Sequence, residues 1–538
     1  VQYTGTRLET GADLTLYAHW TPKEYTVTFV VAGGTMSETT FKVTYRQNYV
    51  LPTPESDLVT KAFSGWYTAP GNEGIQYTDY TGTGQSVWLD AKDMTLYAHW
   101  VDVFEFFETE QSIGGGQSIK GYSVKKGEGI DYVTEVTIPA EYNGLPVIDI
   151  SGGAFDRCTN LKKISIPDTI KNIDYGSSGG KSTGSPFSNC YNLMDVEVYE
   201  VYPGEVHDKR YTSVDGVLFE YSDTELKSSM IIRYFPAAKA GEYVLPDGVV
   251  TLPINVFKNT RITSITIPAS VSKIDNNVFE GCSKLVRIEF LDGEGLPIEL
   301  TELSFDGAAW VTELILPTRI ENFNPAYFSY MSRLEKISFT DDNGEYRAVD
   351  GLVVNKAADT IIYAPRTFSG ENGVFTIPLG INKIADNAFA NPYKKTKTIT
   401  GYYGCKITKL IVPEYVTEIG ENAFRGCSSI GSIEFSGNGS PLGLKIAARA
   451  FHNNTSLTQL TLPANLISLG VYAFGYCSKL ERVDVQVKQA TAALVVDAFC
   501  TDPQYIEDMK ETNPSATIDS YYVKFVNLGA AVTLFDIG

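Results

Sequence analysis

The sequence predicts a mainly β protein in which a coil of short repeats builds a parallel sheet and a small β-rich module precedes the coil. Three observations predict this fold class. A marker Phe returns at short steps, such as the 22 residues from Phe257 to Phe279. Most markers follow a run in which apolar residues alternate and end in Pro. The 33 Tyr and 27 Phe against 6 Met favour pleated, half-buried surfaces.

The first element in chain order is the β-rich module. Strand-like runs at 25–30 and 40–45 are separated by turn signals such as Gly33-Gly34. The run LYAHW at 96–100 repeats the run at 16–20, and FSGWY stands at 63–67 between them. With these motifs the segment resembles the internalin-type B repeat, a small ubiquitin-like β-rich module of bacterial surface proteins. The resemblance implies a complete module over 21–101 and a remnant over 1–20.

The second element is a longer repeat that fills residues 103–500. The marker Phe stands at positions 155, 187, 257, 279, 305, 328, 389, 424, 451, 474 and 499. One turn contains Ile265, Ile267, Pro268, Val271, Ile274, Phe279 and Cys282, and a later turn contains Leu460, Leu462, Pro463, Leu466, Leu469, Phe474 and Cys477. A single turn cannot bury its apolar stripe alone, so the turns are expected to stack around one continuous core.

This frame resembles the BspA-type leucine-rich repeat, a family of bacterial and some protist surface proteins. The alternating residues are expected to point inward from a short strand, and strands of successive turns form a parallel sheet. The Pro ends the strand, and the Phe fills the opposite side of the coil. The prediction is a leucine-rich-repeat solenoid over 102–502, which includes an N-terminal cap, followed by a C-terminal cap over 503–538.

Two lengthened turns, at 199–242 and 340–373, interrupt the frame. Each contains an Asp-Gly hairpin signal, Asp215-Gly216 and Asp350-Gly351, and each continues to a similar ending at 231–236 and 361–365. We predict one insertion used twice, a β-hairpin that leans off the coil.

The sequence offers no catalytic constellation, and we predict that the chain is not an enzyme and holds no cofactor or metal. His19 and His99 occupy the same slot of a repeated motif, so a structural role is expected for both. His207 and His452 lack a matched acidic or Cys neighbour for a triad or zinc site. The acidic run at 341–345 lacks the spacing of a calcium loop, and a turn explains it.

Five cysteines fall three residues after a marker Phe, at positions 158, 190, 282, 427 and 477. A repeated slot filled by Cys predicts a small buried side chain. The alternative is a disulfide, which geometry restricts to adjacent turns and so to Cys158 with Cys190. Cys405 and Cys500 lie outside the slot, and the sequence assigns them no role.

The expected function is binding, because a solenoid presents a long rigid face and the net charge of −20 disfavours nucleic acid and anionic membranes as partners. The resemblance implies a bacterial cell-surface or secreted adhesion protein with a host protein, a host cell, another bacterium or a glycan as partner. The alternative is a structural spacer without a dedicated ligand. The residues expected to bind point outward from the strands: Ser264, Thr266, Arg287, Glu289, Glu313, Lys336 and Ser338.

Overall fold

A computed structural model describes residues 21–499, apart from residues 72, 115, 175–184, 202–208, 223–228, 321–322, 341–344, 395–398, 437–440, 487–492 and 495, together with residues 525–528. It is nearly all β, which confirms the predicted fold class. The chain divides into two compact units, Val1–Asn189 and Cys190–Gly538. The expected remnant at 1–20, with His19, and most of the expected cap at 503–538 lie outside the described residues, as do His207, Cys500 and the acidic run 341–344.

The first unit begins with a mixed β module. Its strands are β1 (Glu24–Val30), β2 (Gly34–Thr35), β3 (Thr40–Thr44), β4 (Glu55–Ser56), β5 (Lys61–Tyr67) and β6 (Met94–Asp102). Four of them form a sheet in the order β3-β1-β6-β5, in which β1 and β6 run parallel and both edge strands antiparallel. Trp66 and Trp88 lie in its core with almost no exposed surface. The assignment of this module as a B repeat stays a prediction.

The solenoid begins within the same unit. Its first strands are β7 (Phe104–Gly114), β8 (Gln117–Lys126), β9 (Glu135–Thr137), β10 (Glu141–Tyr142), β11 (Leu145–Ile150), β12 (Lys163–Pro167) and β13 (Asn172–Ile173), and a 3-10 helix spans Glu128–Tyr132. The β module packs directly on this first part of the solenoid. The Val103 N–H donates to the Thr60 carbonyl at 2.9 Å, and the Tyr80 and Tyr132 rings stack with centroids 4.7 Å apart. The short junction at 101–103 therefore holds the module against the first turns.

The second unit contains the main array. Its first strands are β14 (Asp195–Tyr199), β15 (Tyr211–Val214), β16 (Val217–Tyr221), β17 (Met230–Tyr234), β18 (Ala240–Val244), β19 (Val249–Leu252), β20 (Arg261–Ile267), β21 (Lys273–Ile274), β22 (Arg287–Phe290), β23 (Glu313–Leu316) and β24 (Lys336–Phe339). A 3-10 helix at Pro325–Phe328 precedes β24.

The array continues with β25 (Tyr346–Val349), β26 (Leu352–Asn355), β27 (Thr360–Tyr363), β28 (Val374–Thr376), β29 (Lys383–Ile384), β30 (Pro392–Lys394), β31 (Ile399–Tyr402), β32 (Lys409–Val412), β33 (Glu418–Ile419), β34 (Ser432–Phe435), β35 (Leu444–Ile446), β36 (Gln459–Leu462), β37 (Leu466–Leu469), β38 (Arg482–Val485), β39 (Ala493–Leu494) and β40 (Phe525–Leu528). A 3-10 helix spans Val496–Phe499. Strand β40 pairs in parallel with β38 and thus adds a strand from the expected C-terminal cap region.

Successive turns contribute strands to two parallel ladders. One ladder holds the first strand of each turn, as in the sheet β18-β20-β22-β23-β24, where a Pro follows β18, β20 and β23 closely. The other holds shorter strands such as β21, which lie farther along each turn, as in β27-β29-β33-β35-β37-β39. The sequence predicted only the first ladder, because a two-residue strand is too short to show alternation.

The marker Phe rings form the centre of the core, as predicted. Ten of the eleven are buried, and Phe499 is half-buried. Rings of successive turns stack in near-parallel pairs, with centroids 6.2 Å apart for Phe279 and Phe305 and 5.2 Å apart for Phe424 and Phe451. A ring in such a stacked pair therefore contacts the next turn as well as its own.

The two insertions are three-stranded meanders built into the coil, so the prediction of hairpins that lean off it was wrong. In each, an antiparallel hairpin (β15-β16 or β25-β26) leads to a third strand that joins the second ladder in parallel, β17 beside β19 and β27 beside β29. Strand β26 is buried on both faces: Val353 packs in the core before it, whereas Leu352 and Val354 pack in the core after it. Strand β26 of the second meander thus lies between two hydrophobic clusters and separates them.

Candidate binding surface

The outward side of the sheet β18-β20-β22-β23-β24 brings all seven predicted binding residues together. We call this surface the five-strand face. The strand registers align its side chains in two rows, the first being Glu242, Ser264, Arg287, Glu313 and Lys336, and the second Val244, Thr266, Glu289, Ile315 and Ser338. Between the rows the intervening residues Tyr243, Ile265, Ile288, Leu314 and Ile337 point inward and are buried. The period of two along each strand produces this alternation.

Charged residues at the centre of the face bind one another. Arg287 donates from Nη1 to Glu313 Oε2 at 2.8 Å and from Nη2 to Glu289 Oε2 at 3.0 Å. Lys336 Nζ donates to Glu313 Oε1 at 2.6 Å. Glu313 therefore accepts a bond from each neighbouring strand. The four charges cancel, so this part of the face presents polar atoms without a net charge.

The ion pairs shift the acid–base behaviour of their members. The hydrogen bond from Lys336 and the charge of Arg287 lower the pKa of Glu313, although partial burial opposes the effect. The hydrogen bond to Glu289 raises the pKa of Arg287. Glu313 and Arg287 are therefore both ionised at neutral pH, and their first role is to tie three strands together.

Three hydroxyl side chains complete the predicted set. Ser264, Thr266 and Ser338 are half-buried on the face, and within the described part of the chain their hydroxyls have no side-chain partner. Hydroxyl groups donate and accept hydrogen bonds, so all three are free to bind a polar ligand.

The hairpin insertions border the face at both edges. At the first edge, Lys239 Nζ lies 3.2 Å from the carboxylate of Asp215 at the hairpin tip, and Tyr243 bonds to the Val214 carbonyl at 3.4 Å. At the opposite edge, strand β24 lies beside β25 and β26. Positive φ angles at Asp215 and Gly216 (47° and 70°) fit the type I′ turn that an Asp-Gly pair favours.

The sequence missed the strand that extends the face. Glu242 and Val244 on β18 lie in register with Ser264 and Thr266. The signal was present, because the run at 242–246 alternates and ends in Pro as the run at 264–268 does. The preceding insertion obscured it, since it breaks the spacing between marker residues.

The other candidate residues have structural roles where the structure describes them. His99 stacks on Tyr67 with centroids 3.8 Å apart and bonds through Nε2 to the Ala69 carbonyl at 2.7 Å. Among the described residues, no group of three or more His, Cys, Asp or Glu side chains is arranged to hold a metal ion. The same residues include no helix that is long and apolar enough to cross a membrane.

Comparison with known proteins identifies the repeat. This chain matches the family described as BspA type leucine rich repeat region in six copies. The matched residues, 129–200, 250–347 and 397–500, make up just over half of the chain. No curated protein matches the chain.

Solved structures of bacterial repeat proteins are also similar. A leucine rich cell surface protein from Faecalibacterium prausnitzii is 18% identical, with 72% of this chain and 93% of that chain covered and a TM-score of 0.34. The pneumococcal vaccine antigen PcpA is 18% identical, with 79% and 97% covered and a TM-score of 0.35. A leucine-rich repeat protein from Bacteroides ovatus is 16% identical, with 73% and 98% covered and a TM-score of 0.37.

Proposed function

Since the chain belongs to the family of BspA type leucine-rich repeats, we propose that it is a bacterial cell-surface or secreted protein that binds a macromolecular partner on the five-strand face. The observation that carries the proposal is the face itself: ten side chains in two registered rows, bordered by a hairpin at each edge. The repeat frame builds the scaffold, and the outward positions vary from turn to turn.

The partner is a host protein, a host cell, another bacterium or a glycan, and the chemistry of the face favours a polar, extended contact. Internal ion pairs neutralise its centre, and hydroxyl groups stand beside them. Ile315 and Val244 are the aliphatic side chains in the two rows. Such a contact depends on many weak hydrogen bonds and is expected to weaken as salt is added.

The test blocks the face without removing any member of its ion pairs. Replacing Thr266 and Ser338 together by Arg places two long cations over the second row. We expect the double variant to lose most of its binding to immobilised collagen, laminin or whole epithelial cells, measured beside the parent chain. Charge reversal at Arg287 and Lys336 is a poorer test, because both residues hold Glu313.

The control is Thr461→Arg, the same substitution at an exposed second-row position of β36, outside the five-strand face. It should bind as the parent does. If the double variant also binds as the parent does, the five-strand face is not the site. If the parent binds none of these partners, the alternative of a structural spacer is favoured.

A further inference from the structure

A second set of residues lies beside the five-strand face, in the turns that lead into its strands. Lys284, Trp310 and Arg333 each stand three positions before a first-row residue. Each is the third residue of a β-turn closed by a backbone hydrogen bond, from Leu285 to Cys282 at 3.2 Å, from Val311 to Ala308 at 3.2 Å and from Leu334 to Met331 at 3.1 Å. Arg261, the first residue of β20, likewise stands three positions before Ser264. We call these four residues the basic row.

The members of the basic row are exposed, in contrast to the paired cations of the face. Trp310 keeps 42% of its surface exposed. The Arg333 guanidinium lies 3.8 Å from the centre of its ring, a cation–π contact that fixes the indole in position. Within the described part of the chain, Arg261, Lys284 and Arg333 form no ion pair. Two cations without acidic partners, Lys284 and Arg333, thus flank an exposed indole, and a third, Arg261, lies one turn beyond Lys284, in a chain with a net charge of −20.

We infer that the basic row binds an acidic polysaccharide of the uronate class, with a sugar ring on the indole of Trp310 and carboxylates on the flanking cations. This inference rests on the proposed function and specifies its partner. Lys284 and Arg333 are two turns apart, which corresponds to roughly 10 Å at the spacing of neighbouring strands. That separation suits a chain with one carboxylate in each disaccharide.

The surroundings of Trp310 favour a polysaccharide over a protein. A protein hot spot is enclosed by side chains that exclude water. Val286, Thr312 and Glu335 hold equivalent positions in three successive turns, and two of the three are polar. A sugar has polar edges and an apolar face, so it needs an aromatic platform with hydrogen-bonding groups around it. The Thr312 hydroxyl, two residues from Trp310, is one such group.

Charge density separates this ligand from nucleic acid. A dense polyanion gains most of its affinity from many simultaneous phosphate contacts, and the acidic chain repels it elsewhere. A polysaccharide with widely spaced carboxylates needs only the few cations of the basic row. Glu335, which is exposed and two residues after Arg333 in sequence, should oppose an anion at this site. Removing its charge should therefore strengthen binding.

The experiment measures the affinity of the full chain for hyaluronan decasaccharide by calorimetry at low salt. Trp310→Ala should weaken binding about tenfold, as the loss of one good stacking contact does. The double variant Lys284→Gln with Arg333→Gln loses two charged contacts and should weaken binding by about tenfold or more. Glu335→Gln should tighten it. The matched control is Lys479→Gln, an exposed cation at the same place in the turn of Leu480 and Cys477, farther along the array. It should leave the affinity unchanged.

The outcomes separate this inference from the proposed function. Binding of hyaluronan with the expected variant effects, and none of neutral dextran, supports the basic row. Equal binding by the Trp310→Ala variant overturns it, as does preference for single-stranded DNA over hyaluronan. If the chain binds matrix proteins or cells but not hyaluronan, the inference fails and the proposed function stands. If it binds none of these probes, both fail.

Discussion

At the residue scale, the repeated Cys slot does more than fill space. The Sγ of Cys282 donates to the Phe257 carbonyl at 3.0 Å, and the Sγ of Cys477 donates to the Phe451 carbonyl at 3.4 Å. In both cases the acceptor belongs to the marker Phe of the preceding turn. Asn454 occupies the same slot and donates from Nδ2 to the Phe424 carbonyl at 3.1 Å. The slot therefore supplies an additional donor to a carbonyl that already accepts another bond, as the Phe257 carbonyl does from the Thr260 N–H at 3.1 Å.

The slot thiols of Cys282, Cys427 and Cys477 should resist modification in the folded protein. All three are free and buried, and burial raises the pKa of Cys427 and of Cys477 to about 12. The thiolate is the reactive form, so almost none is present at pH 8. Maleimide labelling followed by peptide mass spectrometry should find these three residues unmodified until denaturant is added. Rapid labelling without denaturant would contradict the buried slot.

Many turns have a left-handed residue two positions before the marker Phe. Asn fills the position at 255, 277, 387 and 422, with φ between 54° and 59°. In the last turns Arg449 and Tyr472 stand there instead, both with φ of 56°. Asn adopts this conformation more readily than residues with long side chains. The sequence shows the Asn column, but its meaning depends on the backbone angle.

Tyr472→Asn should therefore stabilise the protein by about 0.5–1 kcal/mol, since it removes backbone strain at a half-exposed position. The loss of the weak contact with Arg449, whose guanidinium lies 5.5 Å from the ring, offsets part of this gain. Chemical unfolding of the variant measures the difference. Tyr472→Ala is the control, because it loses the same ring without gaining the Asn preference. Equal stability of the two variants would show that strain is not the cause.

At the scale of elements, the stacked Phe column joins each turn to its neighbours. The ring of Phe424 lies between those of Phe389 and Phe451, at centroid distances of 4.5 Å and 5.2 Å. The ring of Phe499 stacks on that of Phe474 at 5.7 Å and is half-buried. The energetic value of a marker should thus depend on its place in the column.

Phe424→Ala should lower the free energy of unfolding by about 3–5 kcal/mol, because it leaves a cavity and breaks two ring contacts. Phe499→Ala should cost less, since that ring is only half-buried at the end of the described column. Denaturant unfolding followed by far-ultraviolet circular dichroism compares the two. An equal cost would mean that stacking between turns contributes little.

The sequence predicted these elements well where the frame is regular and poorly where it is interrupted. The alternation at 264–267 and 287–290 placed Ser264 and Arg287 outward, and the structure agrees. The ion pairs of Glu313 were not predicted, because they depend on the register between turns of unequal length. The built-in meanders were missed for a similar reason: β27 pairs with β29 across an intervening strand and turns, and only the folded core fixes such a contact.

At the scale of the whole molecule, the first unit joins two structural types. The β module could have been a separate domain on a flexible linker, and its composition does not distinguish the cases. The contacts do. Gly129 of the 3-10 helix lies against Ala62 and Val101, so closely that an added Cβ would lie 3.2 Å and 3.1 Å from their side chains. The module thus covers the start of the solenoid, as the end turn of a repeat array requires.

This cover should be coupled energetically to the solenoid. The stacked rings of Tyr80 and Tyr132 join the module to the 3-10 helix at an interplanar angle of 16°. A double-mutant cycle with Tyr80→Ala and Tyr132→Ala should give a coupling energy of about 0.5–1.5 kcal/mol, as expected for an aromatic pair. Hydrogen exchange should also rise on both sides of the contact, at 61–67 and at 128–132, in either single variant. Coupling near zero, with exchange changed only at the mutated side, would mean that the module is an independent stalk. The expected coupling would instead identify the module as a cap of the solenoid, because a spacer does not need to stabilise the turn to which it is attached.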